Sequence, residues 1–287
     1  MKVFVTGASG NVGIAVIHAL IHANVKCEIS AGVRSKESPP LALSRPGITI
    51  VDFDFTNSST FAEALRGVEI LFLLRPPPIS DAKGVFGPLI KAAQEKQVKH
   101  IIFLSVQGAE NSRLIPHHKI EEMIRRSGIA YTFIRPAYFM QNFLTSLNAD
   151  LKKDHLIYLP AGKAQFTLVD VRDIGAVVAQ VIDAYKQYEN RALELTSHDL
   201  LTFGEMAEQL SQGLGKTISF VSPSLFSFYR KKRAEGAPRM LILVMIFLHF
   251  LPRFSKIPRI TDDVELVLKR KPISFAEFIH DYQDSLR

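Results

Sequence analysis

Short, almost uninterrupted apolar runs alternate with amphipathic runs along the first half of the chain. The apolar runs are too short for typical helices and predict strands that are buried on both faces. These strands are predicted at Lys2–Thr6, Glu28–Val33, Thr49–Asp52, Ile70–Leu74, His100–Ser105 and Ala130–Arg135. The amphipathic runs predict helices at Val12–Ala23, Ser59–Leu65, Gly87–Lys96 and Lys119–Ser127. Strand and helix in alternation indicate an α/β fold with a Rossmann-type, doubly wound parallel sheet.

After Pro136 the pattern becomes irregular, and the tail of the chain is mostly helical. Short strands are predicted at Leu156–Pro160, Gln165–Val169 and Ala192–Thr196, and a helix capped by Asp173 is predicted over Asp173–Tyr185. Further helices are predicted at Thr202–Leu214, Ser224–Arg233, Pro238–Leu251, Thr261–Lys269 and Ser274–Ser285. We therefore expect a Rossmann domain over 1–196, in which 137–168 contributes to a substrate pocket. A small, mostly helical C-terminal lobe over 197–287 is expected at the carboxyl edge of the sheet.

A glycine-rich turn joins the first predicted strand to the first predicted helix. Its sequence, Thr6-Gly7-Ala8-Ser9-Gly10-Asn11-Val12-Gly13, contains Gly-x-x-Gly-x-x-Gly. Gly7 permits a tight turn, Gly10 lets the backbone approach a pyrophosphate, and Gly13 lets the helix pack close to the strand. The helix N-terminus offers unpaired N–H groups and a positive dipole end to phosphates. A dinucleotide is therefore predicted here, bound by Thr6, Gly7, Ser9, Gly10, Asn11, Val12 and Gly13; the alternative is a glycine turn without a ligand.

The end of the second strand favours NADP(H) over NAD(H). A site for NAD has Asp or Glu at this point, which binds the ribose 2′-hydroxyl. This chain reads Gly32-Val33-Arg34-Ser35-Lys36 and has no acid there. Arg34 is predicted to bind the 2′-phosphate beside Ser35, with Lys36 adding charge. The alternative is a solvated arginine at the end of a strand.

Composition and charge narrow the classes of function. The chain has 287 residues and a net charge of +7, with all of the excess in 229–260, so a general nucleic-acid binder is disfavoured. Cys27 is the single cysteine, which excludes an intramolecular disulfide and fits a reducing, cytoplasmic compartment. No secretion signal is recognised at the N-terminus. His18 and His22 share a helix face but have no evident third ligand, so no metal site is expected.

With these residues in view, the chain resembles the NmrA-like group of atypical short-chain dehydrogenases/reductases, which includes quinone and triphenylmethane-dye reductases and redox-sensing regulators. The resemblance covers essentially the whole chain. It rests on TGASGNVG at Thr6–Gly13, VRS at Val33–Ser35, DFDF at Asp52–Phe55, HHKIEEMIRRSGIAYTFIRP at His117–Pro136 and TDDVELVLKRKPISFAEFI at Thr261–Ile279. It implies that Asp54 and Phe55 frame the adenine, although Asp54 is equally well explained as a turn or cap residue. It also implies cofactor contacts on the nicotinamide side by Leu74, Arg75, Ser105 and Pro136.

The proton donor of typical short-chain dehydrogenases is missing. These enzymes use Tyr-x-x-x-Lys, and no tyrosine of this chain is followed by lysine four residues later. At the matching place, His117 stands in the tyrosine position and Glu121 in the lysine position, which resembles the quinone-reductase branch. His117 is predicted to donate a proton, and Glu121 to orient it or contact the ribose. The alternative is that His117 and His118 only cap and solvate a helix start.

The weakened catalytic position favours an electrophilic acceptor. A quinone or an extended dye cation accepts hydride with little proton assistance, so proximity and orientation are the main requirements. Tyr138, Phe139 and Asn142 are predicted to contact such an aromatic acceptor, although core packing explains the two rings equally well. The prediction is an NADPH-dependent reductase. The alternative is a non-catalytic protein that senses NADP(H) and acts through a protein partner, and a sugar-nucleotide epimerase is a third, weaker possibility.

The basic and apolar segment 229–260 has three interpretations. It joins Arg-Lys-Lys-Arg to the run MLILVMIFLHFL, and the stretch Met240–Leu248 is too short to span a bilayer. It is explained as a helix buried in the small lobe, as a face for a homo-oligomer or other partner, or as a peripheral contact with an anionic membrane. Because the run is apolar nearly all round, burial within the protein is the favoured interpretation.

Overall fold

The structure is a computed structural model and describes residues 1–37, 40–76, 79, 81–111, 113 and 115–287. Its strands are β1 (Lys2–Val5), β2 (Glu28–Val33), β3 (Ile48–Asp52), β4 (Ile70–Leu74), β5 (His100–Leu104), β6 (Ala130–Pro136), β7 (Tyr138–Phe139), β8 (Leu156–Tyr158), β9 (Gln165–Val169), β10 (Arg191–Leu195), β11 (Leu200–Thr202) and β12 (Ser219–Val221). Its helices are α1 (Asn11–His22), α2 (Phe61–Ala64), α3 (Ala82–Glu95), α4 (Pro116–Ser127), α5 (Asn148–Asp154), α6 (Val171–Asp183), α7 (Phe203–Leu214), α8 (Leu225–Ala234), α9 (Arg239–Phe250), α10 (Asp263–Leu268), α11 (Phe275–Asp281) and α12 (Gln283–Leu286).

A parallel sheet forms the centre of the first part of the chain. Among the described residues it has seven strands in the order β10-β6-β5-β4-β1-β2-β3, with every neighbouring pair parallel. The strand order reverses beside β1, whose neighbours are β2 and β4, and open α/β sheets bind ligands at the carboxyl ends of strands at such a point. The predicted fold class, a Rossmann-type doubly wound sheet, is confirmed.

Helices cover both faces of this sheet, which explains the continuous apolar strands. On one face, residues of β4, β5 and β6 form a core with α3 and α4 that includes Leu71, Phe103, Phe133, Phe86 and Ile120. On the other face, α1 packs against α6. A Cβ on Gly175 of α6 would lie 2.6 Å from the carbonyl oxygen of Ala15 in α1, so glycine permits this close helix contact.

The chain divides into two compact units. The first unit contains Met1–Pro136, Val171–Leu195 and Asp263–Arg270, and the second contains Ala137–Asp170, Thr196–Asp262 and Lys271–Arg287. In the second unit, β9 pairs with β11 and β7, and β8 pairs with β12. Its core is rich in phenylalanine, with Phe143, Phe203, Phe228, Phe275 and Phe278 all fully buried.

These units differ in two segments from the division predicted after Thr196. Residues 137–170 belong to the second unit because β7 and β9 form a sheet with β11. Residues 263–270 belong to the first unit, where the Asp263 carboxylate accepts from the Glu194 amide at 2.7 Å and Arg270 pairs with Asp173 at 2.7 Å. Helix α6 begins at Val171, so Asp173 lies within its first turn, and the prediction that Asp173 caps this helix was wrong. The division into a Rossmann domain over 1–196 and a C-terminal lobe over 197–287 stays a prediction.

Helix α9 is the apolar helix predicted over Pro238–Leu251, and its burial differs from expectation. Only Ile242, Met245 and His249 are buried on it, and most of its other large apolar side chains are exposed. The favoured interpretation of a helix enclosed within the protein is therefore wrong for most of its surface. Within the described residues, no helix combines the length and apolar character needed to cross a membrane.

Candidate functional site

The turn between β1 and α1 contains three glycines, and the structural reason for glycine differs from one position to the next. Gly7 has a φ of +58°, and its Cβ would lie 2.7 Å from a methyl group of Leu74. A Cβ on Gly13 would lie 2.3 Å from the carbonyl oxygen of Gly7, an impossible contact with backbone. A Cβ on Gly10 would approach that same oxygen only to 3.4 Å, which is an ordinary contact. The fold thus requires Gly7 and Gly13, whereas Gly10 leaves space on the outer side of the turn.

The first turn of α1 presents unpaired amides toward that space. Gly10 is the N-cap residue and makes no side-chain capping bond, while Ser9, Gly10 and Asn11 are exposed. The first backbone bonds of the helix region run from the Gly10 amide to Gly7 and from the Ile14 amide to Gly10. The amides between these two points are the groups that a helix leaves without internal partners. An anion at this end would also meet the positive end of the helix dipole.

Thr6 has a structural role that explains its place before the turn. Its side chain is fully buried, donates to the Phe72 carbonyl at 3.0 Å and accepts from the Leu74 amide at 3.1 Å. These bonds join the carboxyl ends of β1 and β4, where the predicted contact Leu74 covers Gly7. Thr6 therefore holds the turn in position, and direct contact of Thr6 or Val12 with a cofactor stays a prediction.

An exposed arginine follows β2, and a lysine close to it in sequence is already paired with a carboxylate. Arg34 and Ser35 are exposed. The Lys36 ammonium lies 3.4 Å from the Asp52 carboxylate, and the Lys36 amide donates to the same carboxylate at 2.8 Å. Arg34 makes no hydrogen bond or ion pair with the described residues. Of the basic side chains predicted for a 2′-phosphate, Arg34 is thus the available one.

The two residues predicted to frame an adenine lie at the end of β3 in different environments. Asp54 accepts from both the amide and the hydroxyl of Thr56 at 2.8 Å, and these bonds, with a smaller effect of the Arg34 charge, lower the pKa of Asp54. Phe55 is buried, with its ring 4.8 Å from that of Phe53 and 5.7 Å from that of Phe86. Asp54 stabilises a local turn, and Phe55 extends the core. Both residues thus have structural roles, and their contacts with an adenine stay a prediction.

His117 and Arg75 form a close pair after β4. The Arg75 Nε–H donates to His117 Nε2 at 3.4 Å, and the guanidinium also donates to the carbonyls of Pro76 and Ile79. Burial, together with the positive charge of Arg75, lowers the pKa of His117 to about 3. The ring is therefore neutral at physiological pH, and its Nε2 is an acceptor. No charged imidazolium is present here to give up a proton. Any proton donated by His117 must come from the neutral ring, and this role stays a prediction.

Glu121 is the centre of a buried polar network that sequence reasoning did not foresee. Its fully buried carboxylate accepts from Ser105 Oγ at 2.6 Å, from Arg135 at 3.0 and 2.7 Å, and from Arg125 at 3.1 Å. Arg135 also pairs with Glu110 at 2.8 Å. These bonds fix α4 against β5 and β6 and give Glu121 and Ser105 structural partners. Arg135 is the one charged residue of β6, and this was the available signal for it.

Pro136 is the last residue of β6 and lies at the carboxyl edge of the parallel sheet. Its carbonyl accepts from the Gln107 amide at 3.1 Å, which joins β6 to the loop after β5. The predicted nicotinamide-side residues Leu74, Arg75, Ser105 and Pro136 all lie at the carboxyl ends of strands β4, β5 and β6 or directly after them. Their contacts with a cofactor stay a prediction.

In the second unit, Tyr138 lies in an aromatic cluster with a buried histidine. His249 Nδ1 contacts the Met245 carbonyl at 2.6 Å and therefore carries the proton, so Nε2 accepts from the Tyr138 hydroxyl at 3.1 Å. Burial lowers the pKa of His249 to about 4 and raises that of Tyr138, against an opposing hydrogen bond from Asn142. The rings of Phe166 and Phe203 pack edge-on against Tyr138 at 5.7 Å.

Asn142 is in hydrogen-bond contact with Tyr138, and Phe139 is half-buried at the next position of β7. Acceptor binding by the three residues stays a prediction. His249 was missed, although a polar ring in an otherwise apolar run was a visible signal. Among the described residues, no group of three or more His, Cys, Asp or Glu is arranged to hold a metal ion.

Residues 1–279 match the model of the NmrA-like family. The chain belongs to the NmrA-like family.

Relatives of this NmrA-like chain include named reductases. It is 28% identical over 282 residues to an NAD(P)H azoreductase of Xenophilus azovorans, covering 96% of each chain. It is 29% identical over 238 residues to quinone oxidoreductase 2 of Escherichia coli, covering 82% of each chain.

Solved structures share its fold over nearly the whole chain. The NADPH-dependent quinone oxidoreductase of Escherichia coli, solved with NADPH, has a TM-score of 0.86 at 25% identity and covers 98% of this chain and 99% of its own. The triphenylmethane reductase of Citrobacter, solved with NADP(H), has a TM-score of 0.85 at 23% identity, covering 99% and 100%. The latter shows likeness in fold alone.

Proposed function

We propose that this protein is an NADPH-dependent reductase that transfers hydride to a quinone or a similar conjugated acceptor. One observation carries the proposal. The turn before α1 has a glycine, Gly10, that internal packing does not require, beside uncapped amides at a helix N-terminus. A backbone that approaches a phosphate closely explains both features. The azoreductase and quinone oxidoreductase among the relatives support the reaction class.

The residues of the first unit fit an NADPH molecule. The amides after Gly10 would hold the pyrophosphate. Arg34 with Ser35 would hold the 2′-phosphate, since Gly32–Lys36 at the end of β2 contains no acid for a free 2′-hydroxyl. Asp54 and Phe55 would border the adenine. Leu74, Arg75, Ser105 and Pro136 would border the nicotinamide, which supplies the hydride when bound.

The chain's own contribution to the reaction is mainly orientation. His117 is neutral and already accepts a hydrogen bond from Arg75, and the Tyr138 hydroxyl donates its hydrogen bond to His249. Neither group is a strong acid that would protonate a carbonyl before hydride arrives. An acceptor must then be electrophilic without protonation, which suits a quinone or dye cation and not a simple ketone. Tyr138, Phe139 and Asn142 are the proposed contacts for its flat ring.

Fluorescence titration with NADPH and NADH tests the cofactor, because the chain has no tryptophan to interfere. We expect tighter binding of NADPH. In Arg34→Ala, NADPH binding should weaken about 10- to 100-fold, the loss of one charge-assisted contact, with NADH binding unchanged. Lys26→Ala, another exposed basic residue, is the matched control and should bind both as the parent does. Equal affinity of the parent for both cofactors would contradict the preference.

Steady-state oxidation of NADPH tests the reaction. Turnover is expected with 1,4-naphthoquinone and none with cyclohexanone. Tight NADPH binding without turnover of naphthoquinone, an azo dye or a triphenylmethane dye would overturn the reductase proposal. That outcome would favour a protein that senses NADP(H) and acts through a partner.

A further inference from the structure

Helix α9 and the segment that follows it present a large apolar surface. We define the α9 surface as the exposed apolar side chains of this region, which are 37 to 74% exposed: Met240, Leu241, Leu243, Val244, Phe247, Leu248, Leu251, Phe254, Ile257 and Ile260. Single exposed apolar residues are normal on a protein. A contiguous run of this size is typical of a surface that contacts a partner or a membrane.

The orientation of α9 is fixed by its buried stripe. Ile242 and Met245 pack into the core of the second unit, and His249 accepts from the buried Tyr138 hydroxyl while donating to Met245. Turning α9 to bury another face would break the hydrogen bond between the Tyr138 hydroxyl and His249 Nε2, and it would move Ile242 and Met245 out of the core. The exposed apolar residues are therefore a stable property of the fold.

The segment that carries the α9 surface has charge of one sign between Glu235, which pairs with Lys231 and Lys232, and Asp262. Residues 236–261 contain four basic residues and no acid. Arg239, Arg253 and Lys256 are exposed, and the Arg253 guanidinium lies 5.0 Å from the ring centre of Phe250. By contrast, Lys231 and Lys232 of the preceding helix form ion pairs with Asp150 and Glu235, so their charges are neutralised within the protein. The exposed positive charge of Arg239, Arg253 and Lys256 is thus located among the exposed apolar side chains.

This charge pattern distinguishes between the possible occupants. In a symmetric dimer the same patch meets itself, and arginines and lysines would face each other without a carboxylate from 236–261 to neutralise them. An anionic lipid surface complements the basic side chains with its phosphates and the apolar side chains with its acyl chains. Helix α9 has 12 residues, about 18 Å, and is too short to span a bilayer.

We propose that the α9 surface docks onto an anionic lipid bilayer, with α9 lying in the interface. Phe247, Leu248 and their exposed neighbours enter the boundary between headgroups and acyl chains. Arg239, Arg253 and Lys256 contact lipid phosphates. A bound membrane would place the protein where apolar, lipid-dissolved molecules are concentrated, but the docking itself does not depend on the proposed reductase activity.

Flotation with vesicles tests the proposal. Vesicles of phosphatidylcholine alone are compared with vesicles that also contain phosphatidylglycerol. The parent should bind the anionic vesicles only and should be released by salt. The variant R239Q/R253Q/K256Q should bind them on the order of 100-fold more weakly, because each basic side chain near such a surface contributes about fivefold. The control K26Q/K83Q/K96Q makes the same charge change at exposed lysines of the first unit and should bind as the parent does.

A second pair of variants separates apolar insertion from charge alone. F247S/L248S should lose vesicle binding, whereas Leu41→Ser, which changes an 89% exposed leucine of the first unit, should keep it. Circular dichroism and NADPH titration establish that each variant is folded. Absence of binding to anionic vesicles by the parent, equal binding to neutral vesicles, or equal binding by control and α9 variants would overturn the proposal. A dimer in sedimentation equilibrium that F247S/L248S abolishes, without vesicle binding, would assign the surface to a second copy.

Discussion

Replacing Gly10 or Gly13 by alanine adds the same methyl group to the same turn with opposite expected results. On Gly13 the methyl would lie 2.3 Å from the Gly7 carbonyl oxygen and 2.7 Å from the Ala8 Cα, so α1 must move away from β1. Forced overpacking costs typically 1–3 kcal/mol, and contact with backbone places Gly13→Ala near the upper end, about 3 kcal/mol. On Gly10 the methyl has an ordinary contact at 3.4 Å, and the change should cost below about 1 kcal/mol.

Ligand binding should separate the two variants in another way. In Gly10→Ala the new methyl occupies the space where a pyrophosphate would meet the backbone. We expect a loss of NADPH affinity of about 10- to 100-fold, equivalent to one or two charge-assisted hydrogen bonds. Urea unfolding and fluorescence titration measure the two quantities on the same samples. Parental NADPH affinity in Gly10→Ala would refute the assignment of this turn to phosphate, and parental stability in Gly13→Ala would refute the steric argument.

Three further results are expected from the buried polar groups. Glu121→Gln removes the fully buried charge partner of Arg135, which keeps the partly exposed Glu110, and should lower the free energy of unfolding by about 3 kcal/mol in urea. The partly exposed neighbour in Glu122→Gln should cost below about 1 kcal/mol. A Glu121→Gln variant as stable as the parent would contradict the network. Because the pKa of His249 falls to about 4 in the fold, the native protein binds fewer protons than the unfolded chain. Stability should therefore fall as pH decreases from about 6.5 to 4, by about 1.4 kcal/mol per pH unit for this group, and His249→Gln should show a smaller slope in urea unfolding. Tyr138→Phe leaves His249 Nε2 without its donor and should cost about 1–2 kcal/mol, which thermal unfolding at neutral pH would detect; an unchanged transition would exclude that hydrogen bond.

The sheet and the glycine turn were predictable because their signals are local. Continuous apolar strands, amphipathic helices and glycines at fixed spacing each report on a few neighbouring residues, and a parallel sheet follows from their alternation. The structure confirms this fold and shows steric reasons for Gly7 and Gly13. Arg34 was likewise visible as a charged residue where an acid was expected, and its proposed role now depends on binding data.

The polar partners were not predictable, because they are distant in sequence. Glu121 bonds to Arg135 and Ser105, 14 and 16 residues away, and Tyr138 bonds to His249, 111 residues away. Periodicity identifies the face on which a side chain lies but not the group that it meets. The exposure of α9 was missed for a related reason. An evenly apolar helix is usually enclosed, and the sequence does not reveal that only one stripe of this helix finds neighbours.

The three glycines of the turn respond to different selective constraints. Substitution of Gly7 or Gly13 damages the fold, so both would persist in a descendant that no longer bound a dinucleotide. Gly10 has no such protection, and random mutation would remove it soon after binding ceased to matter. A sequence that keeps Gly7 and Gly13 and varies Gly10 is therefore the pattern expected where the fold is retained and a phosphate no longer approaches the backbone.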